Sequence, residues 1–133
     1  MDAAMSHHTE FAVDDLATSD ERTYATITHL TGLISVMDGM GLISLPVAII
    51  MWQVKKNESP WLDDHLKEAV NFQISLFIWM LIMGVAAIVT LGLAVIPLLI
   101  FTTILRLVGC IRAGVYANKG RYHRYPASWR IIA

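Results

Sequence analysis

The chain has 133 residues, of which 56% are hydrophobic and 16% are charged, and its formal net charge is −1. Soluble domains average about 25% charged residues, so the composition argues against an ordinary soluble protein and the length allows one domain. The near-neutral charge gives no indication of nucleic-acid binding, and the single cysteine, Cys110, excludes an intramolecular disulfide.

The first half of the chain predicts a tail and a short helical hairpin. Residues 1–18 have neither periodicity nor a signal-peptide layout, so we interpret them as a disordered tail. The apolar stretch 23–54 is interrupted at 38–41 by an aspartate and two glycines, and each flank of about 15 residues is short for a span. We expect helices over 20–36 and 42–56, the first capped by Ser19 or Asp20. Two thin spans, a re-entrant hairpin, and an interfacial helix followed by one span all fit this pattern.

The second half predicts two membrane-spanning helices. Residues 69–105 contain no Asp, Glu, Lys, Arg or His. As one helix this run would be roughly 55 Å long, whereas a bilayer core is about 30 Å thick, so it must turn back. Gly92 and Pro97 mark the turn, which predicts spans over 68–91 and 95–117. Ser59 and Pro60 are typical of a helix start, so the first of these helices begins outside the membrane.

The predicted fold is therefore all-α: a polytopic integral membrane protein of two helical hairpins, with four helices of which the first two are short. Its membrane domain covers residues 19–120, and a basic and aromatic tail covers 121–133. Lys and Arg near span ends mark the cytoplasmic side, and they place the 55–68 loop and the C-terminus there. Four crossings or a re-entrant pair put the N-terminus inside, and three crossings put it outside. The expected location is the bacterial inner membrane.

Several motifs, in order over residues 20–126, resemble a single family. They are Glu21-Arg22-Thr23-Tyr24, His29-Leu30-Thr31-Gly32-Leu33, Lys55-Lys56, Glu58-Ser59-Pro60, Asp64-His65, Lys67-Glu68-Ala69, Asn71-Phe72-Gln73-Ile74-Ser75, Asn118-Lys119-Gly120 and Tyr125-Pro126. The family is that of small bacterial membrane proteins of unknown function grouped as Tic-twenty-like, after a chloroplast inner-envelope import component. The resemblance implies a four-helix integral membrane protein without an established activity. The chain departs from the family at Arg106, where an uncharged residue is expected.

A polar helix entrance is predicted at the start of the third helix. Its members lie close together at helical spacing and are Asp64, His65, Glu68 and Asn71. With His29, or with His123 from the tail, they could bind a divalent metal. The alternative is a structural cluster that caps backbone groups and pairs with Lys67, Arg112 or Arg121. We favour the structural interpretation, because no tight ligand motif such as His-Glu-x-x-His is present.

Three polar residues fall inside the predicted spans: His29, Gln73 and Arg106. Such residues face the bundle interior rather than lipid. We expect His29 to hydrogen-bond a neighbouring helix. Arg106 falls near the bilayer centre, and Gln73 is among the polar residues of the preceding helix that lie at a comparable depth. We therefore predict an Arg106–Gln73 hydrogen bond between the last two helices.

Small residues recur every four positions on the last helix, at Gly109, Ala113 and Ala117, and they predict close helix packing, either within the chain or against a second copy. The tail residues Arg121, Tyr122, Arg124 and Tyr125 are expected to anchor the protein at the lipid headgroups. The alternative for the tail is a docking patch for a protein partner.

The sequence predicts no enzyme, no cofactor and no metal. We expect a small scaffold or accessory subunit that acts through protein contacts, with the lipid bilayer and a protein partner or second copy as partners. One alternative, by analogy with the import component, is a protein-conducting or solute pathway. A metal-dependent membrane enzyme is a further alternative that depends only on the polar helix entrance.

Overall fold

The computed structural model describes residues 17–38, 41–125 and 128–132. The predicted disordered tail therefore lies, over residues 1–16, outside the described residues. The helices are α1 (Ser19–Thr31), α2 (Ile34–Asp38), α3 (Ser44–Lys55), α4 (Pro60–Val89) and α5 (Val95–Asn118). Every regular element of the described residues is helical, and four of the helices have twelve residues or more, which confirms the all-α prediction with two short helices first.

The helix ends follow local capping chemistry. The Ser59 hydroxyl accepts a hydrogen bond from the backbone N–H of Leu62, with Pro60 opening α4, so the predicted start is confirmed. The predicted cap of α1 is wrong by one or two residues. Thr18 is the N-cap, because its hydroxyl and the Glu21 carboxylate bond each other's backbone N–H groups reciprocally. Gly120, with φ +71°, follows the end of α5 as predicted.

The helix predicted over 20–36 is broken at Gly32, which separates α1 from α2. The break lies where the chain passes very close to both long helices. A Cβ atom at Gly32 would contact the side-chain nitrogen of Gln73 in α4 and would lie 2.5 Å from Sγ of Cys110 in α5. Glycine is therefore required for this approach, and the approach could not be read from local sequence.

One end of the molecule collects most of the polar contacts, and we call it the polar end. The Tyr24 hydroxyl of α1 donates to the carbonyl oxygen of Met51 near the end of α3. The Trp52 indole of α3 donates to Asp63 at the start of α4. The start of α1, the end of α3 and the start of α4 therefore lie together at the polar end.

The core lies toward the polar end, in two clusters of buried side chains. The outer cluster contains Ala17, Ala25, Trp61, Leu62, Leu66 and Ala117. The inner cluster contains Phe72, Leu76, Cys110, Ala113 and Tyr125. Both combine α4 and α5, and the inner one also takes a residue from the C-terminal tail.

Beyond the core, α4 and α5 continue as a bare apolar hairpin. Leu76 is the last buried residue of α4 and Thr102 the first of α5, and none of residues 77–101 is buried. We call residues 77–101 the apolar tip; its α4 part alone extends about 20 Å. The turn at the end of the tip uses Leu91 and Gly92 in left-handed conformations. Both α4 and α5 are long and apolar enough to cross a membrane.

The described part of the α1–α3 hairpin bonds the long helices beside the core. Its inner end contacts the long helices where the Ser44 hydroxyl donates to Gln73 and where Arg106 reaches the carbonyl oxygen of Ser35. Both positions lie on the core side of Leu76 and Thr102 or close to them. These two hydrogen bonds join the short hairpin to the long one beside the inner core cluster.

Candidate functional site

The C-terminal tail binds along a single face of α4. Five α4 residues recur at helical spacing on that face and contact the tail: Asp64, Glu68, Asn71, Ser75 and Trp79. We call this set the tail stripe. It includes three members of the predicted polar helix entrance, so the structure brings those residues together around the tail.

The tail stripe holds the tail through both charge and backbone hydrogen bonds. The Arg124 guanidinium donates to both carboxylate oxygens of Asp64, at 2.7 and 2.9 Å. One oxygen of Glu68 accepts from the backbone N–H of Tyr125 at 2.7 Å and from Arg130 at 3.1 Å. A bidentate pair and a nearly buried carboxylate with two donors are strong anchors.

Further along α4, polar side chains form hydrogen bonds with the backbone of the tail. The Asn71 amide donates to the carbonyl oxygen of Ile132 and accepts from its N–H, both at 2.8 Å. The Ser75 hydroxyl accepts from the N–H of Trp129 at 2.7 Å. The tail therefore folds back over α4 as far as residue 132.

The tail was predicted to anchor the protein at the headgroups, and the structure shows that two of its residues contact the protein itself. Tyr125 is 3% exposed, with its ring stacked on Phe72 at a centroid distance of 3.8 Å. Arg124 is paired with Asp64. The physical reason is that the acids of α4 need partners, and the tail supplies them. Arg121 and Tyr122 are half-buried, and the Tyr122 ring lies 6.2 Å from that of His65.

Three histidines from distant parts of the chain lie close together: His29 of α1, His65 of α4 and His123 of the tail. Each is at most 1% exposed. Nε2 of His29 lies 2.9 Å from Nδ1 of His65. The ring centroids of His29 and His123 are 6.3 Å apart. We call these three residues the histidine cluster.

The hydrogen bonds of the first two histidines have a defined direction when both rings are neutral. The carbonyl oxygen of Arg121 can only accept, so Nε2 of His65, 2.7 Å away, carries the proton. Nδ1 of His65 then accepts from Nε2 of His29. Nδ1 of His29 in turn accepts from the Tyr125 hydroxyl, at 2.7 Å. His29 of α1 thus bonds a neighbouring helix, α4, through His65.

The third histidine has no such partner. Neither ring nitrogen of His123 has a hydrogen-bond partner among the described residues, although the ring is fully buried. It is enclosed by aromatic rings, with Tyr116 stacked at 5.4 Å and Tyr125 edge-on at 4.8 Å. Burial, followed by the nearby Arg112 guanidinium, lowers the pKa of His123 to about 3. Its imidazole is therefore neutral at physiological pH.

Arg106 lies inside the bundle, 2% exposed. Its Nη1 donates a hydrogen bond of 3.2 Å to the carbonyl oxygen of Ser35 in α2. Gln73, which was predicted to contact it, is also buried, and its recorded bond comes from the hydroxyl of Ser44 at 3.0 Å. The α1–α3 hairpin thus supplies an acceptor for Arg106, the Ser35 carbonyl, and a donor for Gln73, the Ser44 hydroxyl. The sequence-based prediction considered only the last two helices.

The small residues of α5 lie against neighbours in the same chain. A Cβ at Gly109 would come within 3.0 Å of Phe72 and 3.1 Å of the Tyr125 ring. Ala113 and Ala117 are fully buried, in the inner and outer core clusters respectively. The packing surface faces α4, α1 and the tail.

Sequence reasoning did not identify several residues of this region, among them Ser35, Ser44 and Cys110. Small polar residues in apolar helices carry no local signal that distinguishes a partner from a lipid-facing position. Tyr125 and His123 were singled out in the sequence, but their burial was not predicted, since a run of basic and aromatic residues is also typical of a membrane-interface segment. The one available signal was complementarity between the bases of the tail and the acids of α4.

The fold is a small all-α one in which two long apolar helices, each long and apolar enough to cross a membrane, carry a compact polar end. Residues 20–132 match the magnetosome magnetite crystal formation protein family (MamF/MmsF), and the chain belongs to that family. The predicted membership of a Tic-twenty-like family is therefore wrong. Several of the motifs that suggested it, such as Glu58-Ser59-Pro60 and Asn118-Lys119-Gly120, lie at helix ends. No curated protein and no solved structure matches the chain.

Proposed function

We propose that this protein serves magnetite crystal formation as a non-enzymatic component of the magnetosome membrane, acting as a small scaffold or accessory subunit through protein contacts. The family match supports the process. The observation that carries the membrane role is the apolar tip, in which no residue is charged and none is buried. An exposed apolar surface of this size requires lipid or protein to cover it.

The proposed arrangement in the bilayer has α4 and α5 crossing it and the α1–α3 hairpin entering only part of the way. Ser44 and Ser35 of that hairpin bond Gln73 and Arg106, which supports an entry to about that depth. Exposed apolar side chains along it, such as Met37 and Ile50, support contact with lipid. In this arrangement the N-terminus, the middle loop and the tail share one side, and the Lys and Arg residues there favour the cytoplasm.

The scaffold role is supported by the contacts that the polar residues of α4 make with the tail. Asp64, Glu68 and Asn71 all bond the tail, so these polar groups hold the tail on α4 and form part of the surface of the polar end. The pathway alternative depended on the import resemblance, and that resemblance is wrong. The proposed partners are the bilayer and either another membrane protein or a second copy, with no role for nucleic acid.

Reporter fusions test the arrangement. A reporter active only in the cytoplasm is placed after residue 58, after residue 133 and in the turn at 91–93. Activity at the first two positions and none at the third is expected. Activity in the 91–93 turn, or none at residue 58, would contradict the proposed crossing of α4 and α5.

A charge inserted into the apolar tip tests the role of lipid. Val85 and Val54 are similarly exposed, 63% and 67%, but Val54 lies at the polar end beside Lys55. Lysine costs about 2.5–3.5 kcal/mol at a bilayer centre, and Val85, about 9 Å along the helix from the turn at Leu91, would carry part of that cost. Val85→Lys should therefore deplete the protein from membranes, whereas the matched Val54→Lys variant should accumulate normally. Equal accumulation of both variants would refute a lipid-embedded tip.

The functional part of the proposal is tested in magnetite-forming cells that lack the gene. The wild type and Val54→Lys should restore crystal size and number, as measured by electron microscopy, and Val85→Lys should not. Cross-linking in native membranes should capture one protein in stoichiometric amount with the wild type. Full restoration of crystals without any such neighbour would reject the scaffold role.

A further inference from the structure

The histidine cluster has the outer arrangement of a metal site. A histidine that binds a metal through one ring nitrogen typically uses its other nitrogen to hydrogen-bond a carbonyl, carboxylate or water, which fixes the ring. Nε2 of His65 has the carbonyl oxygen of Arg121 at 2.7 Å, and Nδ1 of His29 has the Tyr125 hydroxyl at 2.7 Å. The remaining nitrogens of these two rings face each other.

The spacing of the facing nitrogens is close to that of two ligands on one ion. With metal–nitrogen bonds of about 2.0–2.1 Å, tetrahedral geometry separates two ligand nitrogens by about 3.3 Å. Nε2 of His29 and Nδ1 of His65 are 2.9 Å apart. They need to separate by only about 0.4 Å to admit an ion between them.

A third imidazole is available beside this pair. His123 is fully buried, and neither of its ring nitrogens has a hydrogen-bond partner among the described residues. A buried polar group without a partner destabilises a fold, so its presence requires an explanation. Its ring centroid is 6.3 Å from that of His29, whereas two imidazoles on one tetrahedral ion lie about 5 Å apart. His123 would have to approach by about 1 Å.

We propose that His29, His65 and His123 bind one divalent transition-metal ion, with the ion drawing the three rings together. The proposal goes beyond the proposed function and does not depend on it. In the present arrangement, no three histidine, cysteine or carboxylate side chains of the described residues are spaced to hold an ion, so the movement of His123 is part of the proposal. Imidazole ligands select ions such as Zn²⁺, Co²⁺, Fe²⁺ and Ni²⁺ rather than Mg²⁺ or Ca²⁺.

Binding requires one change of tautomer and no net loss of protons from the histidines. Nδ1 of His65 already presents a lone pair. His29 must move its proton from Nε2 to Nδ1, where the oxygen of Tyr125 can accept it. Tyr125 then changes from donor to acceptor toward His29 and holds the ring in its metal-binding orientation.

The first test uses the full-length protein, purified in detergent without a histidine tag and treated with a chelator. Titration with Co²⁺ should produce the visible absorption of a tetrahedral site, saturating at one equivalent and reversed by Zn²⁺. A double variant, His7→Ala with His8→Ala, is the control, and it should bind as the wild type does. No absorption in the wild type, or loss of it in the control, would overturn the proposal.

His123→Phe separates a ligand from a structural residue. Because the imidazole has no hydrogen-bond partner, the variant should fold at least as stably as the wild type without metal. It should lose the rise in melting temperature that Zn²⁺ gives the wild type, since only a bound ligand shifts the folding equilibrium. Tyr125→Phe keeps the stacked ring but removes the partner of His29, and should weaken Co²⁺ affinity about 10- to 100-fold. Wild-type affinity in His123→Phe would refute the three-histidine site.

Discussion

Gly32 is the position where a single methyl group should be felt most strongly. Its backbone, at φ −59° and ψ −24°, is right-handed helical and allows alanine. Helix propensity alone would favour Gly32→Ala by up to about 1 kcal/mol. The methyl group, however, would contact the side-chain nitrogen of Gln73 and lie 2.5 Å from Sγ of Cys110. Both of these side chains are buried, so neither can turn into solvent.

The expected magnitude follows from these contacts. Forcing an extra carbon into a packed core costs about 1–3 kcal/mol. Displacing Gln73 would also disturb its hydrogen bond from Ser44, which contributes about 1 kcal/mol. After subtraction of the propensity gain, Gly32→Ala should lower the free energy of unfolding by about 1–3 kcal/mol.

The measurement is unfolding in detergent, followed by circular dichroism during titration with sodium dodecyl sulfate. Gly84→Ala is the matched control, because Gly84 lies inside α4 with nothing within 4 Å of its added Cβ. It should be neutral or stabilising by up to about 1 kcal/mol. Combining Gly32→Ala with Cys110→Ala should recover part of the loss, since the nearest sulfur is removed. If Gly32→Ala were as harmless as Gly84→Ala, the close approach of α1 to α4 and α5 would be refuted.

Two further predictions concern the start of α4 and the tail. Ser59→Ala should lower the free energy of unfolding by about 0.5–2 kcal/mol in the same titration, because the cap of α4 is lost. Ser19→Ala is the control, since Ser19 is exposed and the sequence favoured it as a cap. It should change the free energy of unfolding by less than about 0.5 kcal/mol. Equal losses would contradict the assigned caps. Asn71→Ala removes two hydrogen bonds to the tail backbone, about 2 kcal/mol together, so limited trypsin digestion of residues 121–133 should accelerate by about 30-fold. The exposed Gln53→Ala serves as control, and an unchanged rate in Asn71→Ala would mean that the tail is held elsewhere.

The sequence by itself determined the features that depend on neighbours along the chain. The uncharged run over 69–105 specified two long apolar helices with a turn between them, because a single helix would be far longer than a bilayer core. Ser59 and Pro60 specified the start of α4, since a cap and its helix lie within one turn. Gly120 after α5 is a local signal of the same kind.

Tertiary structure decided which polar groups meet, because that depends on how elements far apart in the chain pack together. His29 meets His65 across 36 positions and Tyr125 across 96, and no local pattern links them. The basic and aromatic residues of the tail are typical of a membrane anchor, and only the tertiary structure shows that Asp64 and Glu68 of α4 bind the tail. At Gly32 the neighbouring sequence does not reveal the need for glycine, which comes from Gln73 and Cys110, because they leave no room for a side chain.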